Sequence, residues 1–167
     1  MKIFRTPAAV LGLLYLCFIG YLAYSSSQLP ERMATHFDIR GQPDGWMSRA
    51  AYLRFMIVFG LACPLLVPAV FYACRLLPDR FCRIPHHDYW FAPARRTETL
   101  AYLFRESLWL APLVLGLLIG AHYSIIRANS LARPHLSTPL ELALAGCLLA
   151  GLAIWLVRLI RHFSRVA

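Results

Sequence analysis

The apolar positions of this chain gather into four long runs separated by polar, turn-rich stretches. They cover about residues 7–25, 52–77, 108–126 and 140–160. A helix rises about 1.5 Å per residue, so some 20 apolar residues cross the hydrocarbon core of a bilayer. The pattern therefore predicts an all-α membrane protein, a four-transmembrane-helix bundle that makes residues 1–167 a single membrane domain. A rival reading of the first run is a secretory signal peptide, since "MKIFR" precedes it and "AYSSS" follows. Signal cores are usually about 7–15 residues. This run is longer, which favours a retained helix.

Within the second run, Pro64 and Pro68 lie four residues apart. Proline lacks an amide donor and crowds the preceding turn, so this helix is expected to be kinked or locally opened, with the freed carbonyls finding partners in the bundle. Gly116 and Gly120 in the third run, and Gly146 and Gly151 among alanines in the fourth, suit close helix packing. The same faces would also serve a homo-oligomer. Polar side chains inside the runs are few: His122 and Tyr123 stand near one end of the third, and Glu141 opens the fourth.

The interruptions carry the rest of the information. Residues 28–50 form the first loop, which includes "MATHFDIRGQPDGW". "MATHFDI" alternates apolar and polar residues and predicts a short extended segment. "RGQP" and "PDGW" are turn signals, with Gly41 and Gly45 expected at positive φ and Pro43 setting the turn before Asp44. Trp46 is expected at headgroup level. His36, Asp38 and Asp44 could bind a metal, but two carboxylates and one imidazole are too few to predict a metal site. No neighbouring base activates Ser48, and no catalytic constellation is legible.

Residues 78–107 form the second loop, with Tyr89, Trp90 and Phe91 in a row and Arg95 and Arg96 soon after. Pro93 fits a helix start. The stretch predicts an interfacial helix leading toward the third span, with the aromatics in the interfacial belt and both arginines near headgroup phosphates. Glu98 stands three residues from Arg95, a spacing that permits a helical ion pair. This segment is expected to anchor the bundle or dock a partner.

Composition sharpens the picture. Hydrophobic residues make up 59% of the chain and charged residues 15%, too few charges for an ordinary soluble domain. The formal charge of +9 is spread over the ends of the runs. That distribution suits membrane topology and anionic headgroups, and it does not suit nucleic-acid binding, which needs one concentrated basic face. Eleven basic residues (Lys2, Arg5, Arg75, Arg80, Arg83, Arg95, Arg96, Arg105, Arg158, Arg161, Arg165) fall on one side of the predicted membrane and six on the other. The basic side is expected to be cytoplasmic, which puts both termini inside and the 28–50 loop outside. The five cysteines form no metal or redox motif.

The stretch "LPERMATHFDIRGQPDGWMSR" resembles the signature of the DUF1648 family: a Leu-Pro, then His-Phe, then Gly-x-Pro-Asp-Gly-Trp after the first membrane helix. "DYWFAPARRTETL" is similar to the inner-loop segment of some members. The resemblance implies a small bacterial inner-membrane protein, some of whose relatives are SdpI-type immunity or receptor proteins with additional helices. It supplies no catalytic residues.

The combined expectation is a non-enzymatic interaction protein, a subunit or receptor-like module without cofactor. It would meet a protein or peptide in the membrane or periplasm through His36, Asp38, Gly41, Pro43, Asp44, Gly45 and Trp46, with membrane lipid as its other partner. The alternatives are an SdpI-like immunity or signalling protein, a transporter or its accessory chain, and a metal-assisted membrane enzyme.

Overall fold

The computed structural model describes residues 2–165. The elements are α1 (Lys2–Ser26), β1 (Arg32–Phe37), β2 (Pro43–Ser48), α2 (Arg49–Ala73), α3 (His87–Trp90), α4 (Arg96–Ser107), α5 (Leu110–Asn129) and α6 (Thr138–Phe163). Four helical stretches are long and apolar enough to cross a membrane: Thr6–Ser26, Arg49–Leu76, Arg96–Asn129 and Thr138–Phe163. The chain is a multi-pass membrane protein built as a four-span helical bundle.

The core is small and lies toward one end. Phe18 and Leu22 of α1, Tyr52 and Met56 of α2 and Leu115 of α5 meet Leu29 and Met33 from the segment after α1. Most other apolar side chains on the spans point outward, as expected where the surroundings are lipid tails rather than water. Close approach is set by glycines. A Cβ on Gly60 would lie 2.3 Å from the Phe18 ring, so α1 seats on α2 only because that side chain is missing. Gly120 and Gly151 do the same for α5 against α6, receiving Leu144 and Leu113. Gly116 and Gly146, expected to share this role, have open space at the Cβ position.

The prolines of α2 lie within one continuous helix. Pro64 and Pro68 are buried inside a helix assigned without interruption from Arg49 to Ala73. Pro64 supplies no amide for the Gly60 carbonyl, and at the next carbonyl, Leu61, the Tyr15 hydroxyl of α1 donates at 3.0 Å. Tyr15 thus helps satisfy the backbone where the proline weakens it.

The third span is composite. Pro93 lies in a turn, and the helix starts three residues later, at Arg96. α4 runs to Ser107, and α5 restarts at Leu110 after a short break. Twenty residues make α5 about 30 Å long, sufficient to span by itself. α4 then stands at the bundle end opposite the hairpin, beside the last turns of α2 and α6.

The 28–50 loop is a β-hairpin. β1 and β2 pair antiparallel, with Met33 opposite Met47, Ala34 opposite Trp46 and His36 opposite Gly45, and irregular register around Thr35. The extended reading of "MATHFDI" agrees with β1. The "PDGW" reading does not: these residues lie in β2, and the turn is Asp38–Gln42. The Asp38 carboxylate decides this by accepting from the amides of Arg40 and Gln42, both at 2.8 Å. Gly41 alone among the described glycines has positive φ, +76°. Gly45 is needed for another reason, since a Cβ there would lie 2.7 Å from that of His36.

Candidate functional site

The hairpin is tied down by residues far away in sequence. The Asn129 side chain, in the last turn of α5, accepts from the Ala34 amide at 2.8 Å and donates to the Ala34 carbonyl at 2.8 Å. It also donates to Ile125 in its own helix at 2.9 Å. One side-chain amide therefore closes the open edge of β1 as a third strand would. At the tip, the Leu136 amide donates to the Gly41 carbonyl at 3.0 Å, and a Cβ on Gly41 would meet Leu136 O at 2.8 Å. At the base, Arg49 Nη1 donates to Leu29 O at 3.0 Å, and the Ser48 hydroxyl caps α2 by accepting from the Ala51 amide. The loop is a rigid, clamped ribbon.

Clamping one edge leaves the other open. In an antiparallel ladder, opposed residues turn their peptide groups either toward each other or both outward. Ala34 directs its N–H and C=O to Asn129, so Trp46 across the ribbon directs its own away from β1. Trp46 is half-exposed, and Arg32 lies over its ring at 5.7 Å. His36 and Asp44 pair through Nδ1 and Oδ1 on the exposed face. Ile39, at the tip, is 99% exposed. Of the residues expected at this site, His36, Asp44 and Trp46 share the exposed ribbon, while Asp38, Gly41 and Gly45 shape it. Pro43 opens β2 opposite Phe37.

Beneath the hairpin lies a buried polar knot. His122 of α5 is fully buried, its Nε2 2.9 Å from the Ser25 hydroxyl of α1 and its Nδ1 2.8 Å from the Tyr52 hydroxyl of α2. Tyr21 packs edge-on against the same ring. Both ring nitrogens are satisfied, so the imidazole fastens three helices together. Ser124 donates to Glu141 and links α5 to the start of α6. Among the described residues, no group of three or more His, Cys, Asp and Glu side chains is placed to hold a metal.

The opposite end of the molecule holds the second expected site. Trp90 Nε1 donates to Phe163 O at 2.9 Å, and Thr99 Oγ1 donates to Trp90 O at 2.7 Å. Phe91 is buried rather than facing out. Arg96 is occupied by Asp79, with Nε 2.9 Å from both carboxylate oxygens. Arg95 lies over Tyr89 at 3.9 Å and forms no ion pair with Glu98. Buried Glu106 meets Arg158 Nη2 at 3.1 Å. His87 stands between the Asp79 carbonyl, 3.0 Å from Nε2, and the Asp88 carboxylate, 3.2 Å from Nδ1. Acceptors at both nitrogens, the carbonyl foremost, raise its pKa above the ordinary 6.5.

Residues 12–62 match the family model described as a domain of unknown function, DUF1648. The chain carries a DUF1648 domain. It comprises most of α1, the hairpin and the first half of α2, so the DUF1648 match includes every residue expected at the outer site. The stretch "DYWFAPARRTETL" lies outside it. No curated protein and no solved structure matches the chain.

Sequence reasoning missed Asn129, Tyr52 and Glu106. Asn129 carried one weak signal, an amide at the end of an apolar run. Nothing in the sequence joined it to Ala34, 95 positions earlier.

Proposed function

We propose that the protein is a non-enzymatic recognition module of the bacterial inner membrane that presents the DUF1648 hairpin to a protein or peptide outside the cell membrane. Both termini are cytoplasmic in this reading, which rests on the excess of basic residues at the end opposite the hairpin. The observation that carries the proposal is the Asn129 clamp. A connector between two helices needs no side chain from a third helix to fix its strand edge. Fixing it pre-organises β2, whose free edge at Trp46 can pair with an extended segment of the partner. Ile39 and Trp46 would supply apolar contacts and the His36–Asp44 pair polar ones.

The test is photo-crosslinking in intact membranes with p-benzoylphenylalanine in place of Ile39 or Trp46. A discrete adduct at both positions is expected. It should weaken when Asn129→Ala loosens the ribbon and persist with Ser130→Ala. Lack of any adduct at the two positions, with the protein inserted at normal levels, would refute the proposal.

A further inference from the structure

A cavity at the end opposite the hairpin takes no part in the reading above. It is an open cleft of about 460 Å³ between α3, α4 and the last turn of α6. Arg95, Glu98, Thr99, Tyr102 and Arg105 line it along α4. The first four repeat at helical spacing and form one face. Trp90 and His162 form the opposite wall.

The walls are aromatic and the donors are cationic. His162 stacks on Tyr102 with ring centres 3.6 Å apart, and Trp90 follows at 5.1 Å from His162. Arg105 lies over Tyr102 at 4.8 Å, and Arg95 lies over Tyr89 at 3.9 Å. Neither arginine has a carboxylate partner among the described residues, whereas Arg96 and Arg158 nearby are both paired. A guanidinium held over a ring keeps its N–H edge free for an anion. The sequence suggested Arg95 and Arg96 for headgroup contact. The fold withdraws Arg96 and brings Arg105 in.

We propose that this cleft binds the phosphate of a membrane lipid headgroup, with Arg95 and Arg105 as its donors. α4 leads within a few residues into a spanning helix, so the cleft stands where headgroups lie. Arginine matches phosphate oxygens with paired N–H groups. Glu98 on the same wall separates the two sources of phosphate. A free phosphate near neutral pH carries about 1.5–2 negative charges and is repelled more strongly by that carboxylate. A lipid phosphodiester carries one, and its glycerol end can rest on Ala101 and the rings.

The experiment uses the full-length protein in mild detergent, delipidated and then offered phosphatidylglycerol, with retention read by native mass spectrometry. Diacylglycerol, which lacks the phosphate, and inorganic phosphate form the comparison arms. Wild type should retain one phosphatidylglycerol and no diacylglycerol. The double variant Arg95→Gln/Arg105→Gln should lose retention at least tenfold, while Arg127→Gln/Arg133→Gln, at the hairpin end, should retain it. Each single variant should lose severalfold, which keeps the test informative if the double variant does not fold. Failure of wild type to retain the lipid, or equal retention by folded Arg-to-Gln variants, overturns the proposal. Displacement of the lipid by millimolar inorganic phosphate overturns the lipid assignment and points to a soluble phosphate compound.

Discussion

Asn129→Ala tests whether the hairpin is a fixed part of the bundle. The substitution removes three hydrogen bonds and leaves the Ala34 amide and carbonyl without their partner. Ala34 is fully buried, so neither group regains water without movement. Each buried orphan costs about 1–3 kcal/mol. The site is near the bundle end and β1 can shift toward solvent, so a total of about 3 kcal/mol is the reasonable figure. At about 1.4 kcal/mol per factor of ten, that is roughly a hundredfold rise in the hairpin opening equilibrium. Hydrogen–deuterium exchange in nanodiscs reads it directly through the amides of Met33 and Met47, an opposed pair in the ladder. Asn129→Asp is the sharper companion. It keeps an acceptor for the Ala34 amide but sets a carboxylate against the Ala34 carbonyl, so a comparable loss is expected. Ser130→Ala removes only an exposed bond to Arg127 O and should leave exchange unchanged. If Asn129→Ala exchanges within twofold of wild type while the helices stay protected, the clamp contributes nothing and the reasoning fails.

Other outcomes follow from the same geometry. Gly60→Ala forces a methyl into the Phe18 ring and should cost about 1–3 kcal/mol as a lower unfolding midpoint, whereas Gly116→Ala, with open space, should not lower it. Gly41→Ala combines positive φ with a contact on Leu136 O, so proteolysis at Arg40 should accelerate on the intact bundle. A cysteine at Gln42 should react with an impermeant thiol reagent in intact spheroplasts and Cys82 should not; the reverse pattern would invert the proposed orientation. The raised pKa of His87 means the protonated ring binds both acceptors, so its support of the Asp79–Asp88 loop is complete below pH 6.5 and fades as pH rises through the raised value. An NMR titration of the ring that places its pKa at or below 6.5 would contradict this.

The spans were legible because membrane insertion depends on summed hydropathy, which a single chain displays. β1 was legible from its alternation. The turn was not, because "RGQP" and "PDGW" carry equally good turn residues and the choice lies in the Asp38 carboxylate and in the docking of Gly41 on Leu136. The role of His122 was hidden for a similar reason. Its position near a helix end was readable, but its partners Ser25 and Tyr52 lie 97 and 70 residues away. Arg95 and Arg96 look alike in sequence, and only the fold reveals that Asp79 claims one of them.

The Asn129 clamp bears on what counts as a module in this chain. The stretch recognisable by sequence ends at residue 62, yet its strand edge is completed by residue 129, its tip by residue 136, and two of its polar side chains by residue 122. The sequence boundary therefore runs through the folding unit rather than around it. A transplanted copy of residues 12–62 would carry the signature without its keystone. Any other protein that keeps this hairpin in the same shape has to satisfy that strand edge in its own way, with a side chain, a further strand or water.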